Sequence, residues 1–136
     1  MYPEATKILN TRLKEQWTET FIHWEGVGKE GELPVEPGES FIRPTIDWVD
    51  RSGRVGGMGK KIGIGYVLIE IYTEYGNGRL KADRFAQELT DIFKDFEQDA
   101  LEVTSINPPE TVGQENTGFY HLNLQINFKY SECREV

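Results

Sequence analysis

Within residues 119–130, FYHLNLQINFKY, apolar and polar side chains alternate without interruption from residue 121 onward. This alternation is the feature that most restricts the fold, because successive side chains of a β-strand point to opposite faces of a sheet. One set is apolar: Leu122, Leu124, Ile126, Phe128 and Tyr130. The other set is polar: His121, Asn123, Gln125, Asn127 and Lys129. The pattern predicts a half-buried antiparallel strand whose polar face meets water or a partner.

Four other segments are predicted to be strands of the same sheet. They are 21–24, 41–49, 66–75 and 100–106. Segment 66–75, YVLIEIYTEY, is the most strand-like of them because its β-branched residues alternate. Pro44 lies inside 41–49 and lacks a backbone N–H, which favours an edge strand or a bulged strand.

Two segments have the spacing of amphipathic helices, with apolar residues every three or four positions along 4–17 and 79–96. The resulting order is α-β-β-β-α-β-β. We therefore predict one α+β domain over 1–136, with an antiparallel (mixed at most) sheet and both helices packed on one face. Flexible loops are expected at about 25–40, 51–65 and 107–118, where glycine, proline and polar residues are concentrated.

The charge and cysteine content restrict the function. The net charge of −8 makes general binding to nucleic-acid phosphates a poor first hypothesis. Cys133 is the only cysteine, so an internal disulfide is impossible. We recognise neither a signal peptide nor an apolar segment near the ~20 residues that span a bilayer. These features predict a soluble protein of a reducing cytoplasm.

The stretch RVGGMGKKIGIGY, residues 54–66, invites comparison with a phosphate-binding loop. In such a loop a Gly-Lys pair is followed by serine or threonine, whose hydroxyl binds magnesium, and a helix follows. Here Gly59 and Lys60 are followed by Lys61, and the next predicted element is a strand. We therefore interpret the stretch as a mobile connection between two strands. Its basic residues, Arg51, Arg54, Lys60 and Lys61, remain candidates for contact with an acidic partner.

Other apparent motifs fail for similar reasons. Gly26, Gly28 and Gly31 have dinucleotide-loop spacing, but the following ELPVEPGES cannot form the helix that this motif requires. The acidic residues 95, 97 and 99 hint at a calcium loop, but alanine and isoleucine occupy the required glycine and glutamate positions. His23 and His121 have no metal-ligand spacing and are interpreted as structural. We predict no catalytic, cofactor-binding or metal-binding residues.

Several segments resemble segments of the small tail terminator proteins of long-tailed phages and prophages, and they follow one another in the same order as in that family. The first helix ends at Trp17 and is followed by FIHWEGV, and FIRPTIDW is similar to the family's strand with a W-V-R-P-like or V-R-x-x-I-like core. A glycine-rich connection then precedes a long β-branched strand. YGNGRLKADRFAQELTDIF is similar to the family's turn and amphipathic helix, and PPETVGQENTGFYHLNLQINFKY is similar to its last strand.

The resemblance implies a structural role without catalysis or a cofactor. Such proteins form a ring, generally a hexamer, at the head-proximal end of the tail tube. The ring stops tube polymerisation and provides the docking interface for the head connector, and genome DNA passes through it without specific binding. The implied location is the neck of the virion, after assembly in the host cytoplasm, with no membrane contact. Candidate ring or partner contacts are Arg51, Arg54, Lys60, Lys61, Asn123, Gln125 and Asn127.

Two alternatives stay open at this point. Another neck or head-completion connector protein would share the size and charge but would bind the portal complex. A small ligand-binding domain or an enzyme using carboxylates in a cleft would instead be a monomer with a defined pocket.

Overall fold

The computed structural model describes residues 3–24, 40–55, 60–74, 78–114 and 119–133. The two helices are α1 (Pro3–Gln16) and α2 (Gly78–Phe93). The strands are β1 (Phe21–Ile22), β2 (Phe41–Val55), β3 (Lys60–Glu74), β4 (Glu97–Gln98), β5 (Leu101–Ile106), β6 (Glu110–Gln114) and β7 (Phe119–Cys133). The predicted α+β class is confirmed, and the predicted element order is extended by two short strands, β4 and β6.

The described strands form one mixed sheet in the order β1-β2-β3-β7-β5-β4, and β6 also pairs with β7. Only β1 and β2 run parallel; every other described pair is antiparallel. Strands β5 and β6 lie one after the other along the same side of β7. Their registers run from Leu101↔Tyr130 to Ile106↔Ile126 and then from Glu110↔Asn123 to Gln114↔Tyr120.

The sequence prediction of a flexible loop at 51–65 is wrong for most of that stretch. Strand β2 continues to Val55 and β3 begins at Lys60, and the two pair up to Val55↔Lys60. The glycines suggested a loop, but β3 pairs on both sides, with β2 and with β7, and this non-local pairing overrides local propensity. Residues 56–59 lie outside the described residues.

Two other predicted loops have different outcomes. Within 107–118, residues Glu110–Gln114 form β6, so the loop prediction is wrong there, while 115–118 lie outside the described residues. Of the predicted acidic loop 25–40, residues 25–39 also lie outside the described part of the chain.

The hydrophobic core lies between the two helices and one face of the sheet. Leu122, Leu124, Ile126 and Phe128 are all at most 2% exposed, which confirms the apolar face predicted from the alternation in β7. The helices contribute Ala5, Ile8, Leu9, Leu13, Ala82, Phe85, Ala86, Leu89 and Phe93 to the same cluster. The sheet face away from the helices is therefore the face on which the polar residues of β7 lie.

Arg12 links the two helices at the end of α2. Its Nε and Nη2 atoms donate hydrogen bonds of 3.1 and 2.9 Å to the carbonyl oxygen of Ile92. The guanidinium also lies 4.8 Å from the centroid of the Phe96 ring. A cation at this position satisfies a carbonyl of the last turn and interacts favourably with the negative end of the helix dipole.

Candidate interaction surface

The sheet face opposite the helices, called the polar face below, is built from three neighbouring strands in register. Three cross-strand rows define it: Arg43–Glu70–Asn123, Thr45–Leu68–Gln125 and Asp47–Tyr66–Asn127. Because side chains alternate along each strand, all of these residues point away from the core formed by residues such as Ile69 and Leu124.

Neutral amides occupy the centre of the polar face. Gln125 Nε2 donates a 2.9 Å hydrogen bond to Asn127 Oδ1. Asn127 Nδ2 in turn donates to Ser105 Oγ at 3.1 Å and to Asn107 Oδ1 at 3.0 Å. These bonds fix the two amides and tie β7 to β5 and to the segment that follows it. Within the described residues, the buried Oδ1 atom of Asn123 accepts no hydrogen bond.

Two opposite-charge pairs lie on and beside the polar face, while Asp47 on the same face accepts a 3.4 Å hydrogen bond from the Tyr66 hydroxyl. Arg43 forms an ion pair with Glu70, and both contact the Tyr72 hydroxyl: Arg43 donates to it at 3.1 Å and it donates to Glu70 Oε2 at 3.1 Å. Lys129 Nζ lies 3.4 Å from Glu102 Oε2. Pairs this exposed contribute at most about 1 kcal/mol each to stability. Their main effect is to cancel the local charge.

One end of the polar face is aromatic and closed to solvent, which differs from the polar face, open to water or a partner, that the sequence predicts. Phe41, Tyr72 and Phe119 are between 1 and 7% exposed and form their own cluster. His121 is 5% exposed and stacks on Tyr72 with ring centroids 4.3 Å apart. This cluster depends on the cross-strand register of the aromatic residues. The sequence alone does not give that register, so the cluster could not be predicted.

The structure does not bring all seven candidate contact residues together. Asn123, Gln125 and Asn127 share the polar face. The pairs Arg51↔Gly63, Arg54↔Lys61 and Val55↔Lys60 place the four basic candidates near the far end of the β2–β3 hairpin. Lys60 is six residues from Tyr66, the partner of Asn127, which corresponds to roughly 20 Å of strand. The side chains of the four basic residues lie outside the described part of the structure.

A groove of about 540 Å³ runs between α1 and β2 on the helix side of the sheet. One wall is apolar and is formed by Trp24, Pro44, Ile46 and Trp48; the other is the polar side of α1, formed by Thr6, Asn10, Thr11 and Lys14. The sequence indicated an amphipathic α1, but it did not indicate that α1 would leave this part of β2 uncovered.

Glu74, at the end of β3, joins three elements. Its carboxylate accepts a 2.7 Å hydrogen bond from Lys81 Nζ in α2 and another from the Ser40 hydroxyl just before β2. The Lys81 and Ser40 hydrogen bonds lower the pKa of Glu74 to about 2. The Glu74 and Lys81 side chains are 35 and 31% exposed. We therefore interpret the pair as a surface ion pair that connects β3 to α2.

Other kinds of site find little support among the described residues. They contain no group of three or more histidine, cysteine, aspartate or glutamate side chains arranged to hold a metal ion. Asp95 and Asp99, from the apparent calcium motif, have φ values of 57° and 54° and lie in the turns after α2 and between β4 and β5. Neither helix of the described part has the length and apolar character needed to cross a membrane.

Sequence comparisons add no assignment. Neither the comparison with protein-family models nor the search of curated proteins finds a match for this chain.

Proposed function

We propose that this chain is a ring-forming structural protein of a long-tailed phage or prophage. In this proposal it ends the tail tube at its head-proximal end, stops tube polymerisation and presents the docking surface for the head connector. The segments that resemble tail terminator proteins include the first helix, the strand core around Pro44, α2 and β7. An α+β domain with both helices on one side of its sheet agrees with this resemblance.

The polar face is the observation that carries the proposal. Neither described helix covers this sheet surface, and neutral amides that are hydrogen-bonded to one another occupy its centre. Its arginine, Arg43, is paired with Glu70, and the neighbouring Lys129 is paired with Glu102. A surface of this kind offers phosphate groups no cluster of unpaired cations among the described residues.

These properties suit the wall of a channel through which DNA moves. Strong phosphate contacts release counterions and hold DNA in place, so a channel wall should avoid them. We therefore infer that the polar face lines the channel of a ring, generally a hexamer, and that DNA passes without specific binding. The basic residues Arg51, Arg54, Lys60 and Lys61 would then contact an acidic surface of the tail-tube protein or the connector.

The direct test is the mass of the purified protein by light scattering, alone and with tail tubes assembled from the tube protein of the same genome. A closed ring, or a monomer that becomes a ring at tube ends, supports the proposal. A monomer that ignores tubes refutes it, and portal binding would then favour a different neck protein.

A charge substitution tests the orientation of the polar face. Gln125→Lys would place one extra positive charge per subunit on the channel wall, so the variant ring should bind DNA in a salt-dependent manner. Gln87→Lys makes the same chemical change on the exposed side of α2 and is the matched control. Equal DNA binding by the two variant rings would contradict the placement of the polar face in the channel.

A further inference from the structure

The groove between α1 and β2 has two walls of different chemistry. The strand wall carries the rings of Trp24, Pro44 and Trp48 together with the Ile46 side chain, and the helix wall carries hydroxyl, amide and ammonium groups of α1. The volume of about 540 Å³ lies within the range of roughly 300–1,000 Å³ that is usual for ligand sites. The groove lies on the opposite side of the sheet from the polar face, so the proposed channel wall leaves it unused.

The two walls of the groove are matched in length. Pro44 to Trp48 is four residue steps along a strand, roughly 13 Å. Thr6 to Lys14 is eight residue steps along a helix, roughly 12 Å. Because β1 runs parallel to the start of β2, Trp24 lies at the Pro44 end of the groove. The strand wall therefore has an indole ring near each end.

The strand wall is held in place by the core. Trp48 packs edge to face on Phe128, with ring centroids 5.2 Å apart. Trp24 and Ile46 are partly buried against the main core cluster, and Pro44 is buried. Rings that are already fixed lose little conformational freedom when a ligand binds, which lowers the cost of binding. This wall is therefore preorganised for a ligand.

The helix wall supplies hydrogen-bond donors and a positive charge. The Asn10 amide and the hydroxyl groups of Thr6 and Thr11 can each donate a hydrogen bond. Lys14 is exposed and is the charged residue among those that line the groove. None of the ion pairs between described residues includes Lys14. Its charge is therefore available to an acidic group in the groove.

A polyproline II segment has the shape and chemistry that fit both walls. It rises about 3.1 Å per residue, so roughly four residues fill a groove of this length. It has three residues per turn, which brings the first and fourth residues of a Pro-x-x-Pro sequence to the same side, where prolines dock on aromatic side chains. Its carbonyl groups make no internal hydrogen bonds, so they can accept hydrogen bonds from Asn10 and the two threonines.

We propose that the groove binds an acidic, proline-containing segment of a partner protein in the polyproline II conformation. The two prolines pack against Trp24 and Trp48, and α1 donates hydrogen bonds to the carbonyl groups of the segment. Lys14 pairs with a carboxylate beside the prolines. Because the groove and the polar face lie on opposite sides of the sheet, this partner binds without blocking the proposed channel.

The test is a titration of the purified chain with three synthetic peptides, followed by tryptophan fluorescence and calorimetry. EPPVPPE has the proposed chemistry, KPPVPPK reverses its charge, and EGGVGGE lacks the preformed conformation. We expect EPPVPPE to bind at least about fivefold more tightly than either control peptide and to change the tryptophan fluorescence. No measurable binding of EPPVPPE, or equal binding of the three peptides, would overturn the proposal.

A charge exchange locates the binding in the groove. Lys14→Glu should weaken the binding of EPPVPPE by about fivefold or more, and it should bind KPPVPPK better than the wild type does. Lys14 is exposed, so the fold should survive, and circular dichroism verifies this. Lys94→Glu makes the same change at an exposed lysine that does not line the groove, and it should bind like the wild type. Equal effects of the two substitutions would indicate general charge attraction and would overturn the assignment to the groove.

The chain itself contains a segment of similar chemistry, ELPVEPGE at residues 32–39, which is the competing occupant. A double variant, Pro34→Gly with Pro37→Gly, removes both of its prolines. We expect this variant to bind EPPVPPE as the wild type does. Binding that appears only in the double variant would assign the groove to the chain's own segment and overturn the proposal of a partner. These titrations need no tail tubes, so this inference can fail while the proposed function stands, and the reverse.

Discussion

Replacing Gly65 by alanine should destabilise the fold by about 2 kcal/mol, because β3 has no room for a methyl group at this position. An added Cβ would lie 2.5 Å from the Asp47 carbonyl oxygen, 3.0 Å from Phe128 Cζ and 3.3 Å from Trp48 Cε3. The shortest contact is with backbone, so rotation of a side chain cannot relieve it. Strand β2 would have to shift, and forced overpacking of this kind costs about 1–3 kcal/mol.

Disturbance of the aromatic pair above Gly65 adds to this cost. Trp48 and Phe128 pack edge to face with centroids 5.2 Å apart. Such geometry contributes about 0.5–1.5 kcal/mol beyond the buried area, and a methyl group between the rings would remove part of it. For a domain of this size, a loss of about 2 kcal/mol corresponds to a decrease in Tm of roughly 6–10 °C.

Urea unfolding followed by tryptophan fluorescence and circular dichroism would measure the effect. Ile64→Ala is the matched control, since Ile64 is the adjacent residue on the opposite face and is 42% exposed. It should cost less than about 1 kcal/mol. A Gly65→Ala variant as stable as the wild type, or an equal loss in Ile64→Ala, would refute the close packing of the aromatic pair over Gly65.

Three further substitutions test other contacts. The pKa of Glu74 is lowered in the folded state, so its contribution to stability exists above its unfolded value of 4.5 and is lost as the pH falls towards about 2. Glu74→Gln weakens the contact with Lys81, so near neutral pH it should lower the free energy of unfolding in urea by up to about 1 kcal/mol, after allowance for solvent screening. Near pH 2 the variant should be about as stable as the wild type, and a pH-independent difference would contradict this. Arg12→Ala removes two hydrogen bonds to the Ile92 carbonyl and should cost about 1–2 kcal/mol in chemical unfolding, with little recovery in Arg12→Lys, whose ammonium lacks the guanidinium fork. Asp99→Val should cost about 1–2 kcal/mol of stability in thermal melting, because a β-branched residue is strained at a φ of 54°. Asp99→Gly should be nearly neutral, and equal melting of the two variants would count against strain at this turn.

Features with a local cause were predictable from the sequence. The period of two in β7 placed Leu122 and Leu124 in the core and Asn123 and Gln125 on the other face, as the structure has them. The apolar stripe of α2 likewise predicted a helix packed on the sheet. Its end moves from the predicted residue 96 back to Phe93, where the chain enters a turn with a positive φ at Asp95.

Features that depend on distant pairing were not predictable in the same way. The glycines of 51–65 resemble those of a loop, yet β3 is held there by partners from both neighbouring strands. The cluster of Phe41, Tyr72 and Phe119 exists only because the register places the three side chains side by side. The groove beside α1 depends on where α1 packs on the sheet, and no local sequence pattern determines that position.

The position of β7 in the sheet affects how the chain is made. Strand β7 follows every other described strand in the sequence, yet it lies between β3 on one side and β5 and β6 on the other. While the ribosome is still synthesising residues 119–133, β3, β5 and β6 therefore lack the strand with which each of them pairs. The described sheet can close only after β7 emerges, and pairings between strands that are distant in sequence form slowly. Exposed edges during this interval favour aggregation, so the protein should depend on chaperones or rapid release more than its modest size suggests.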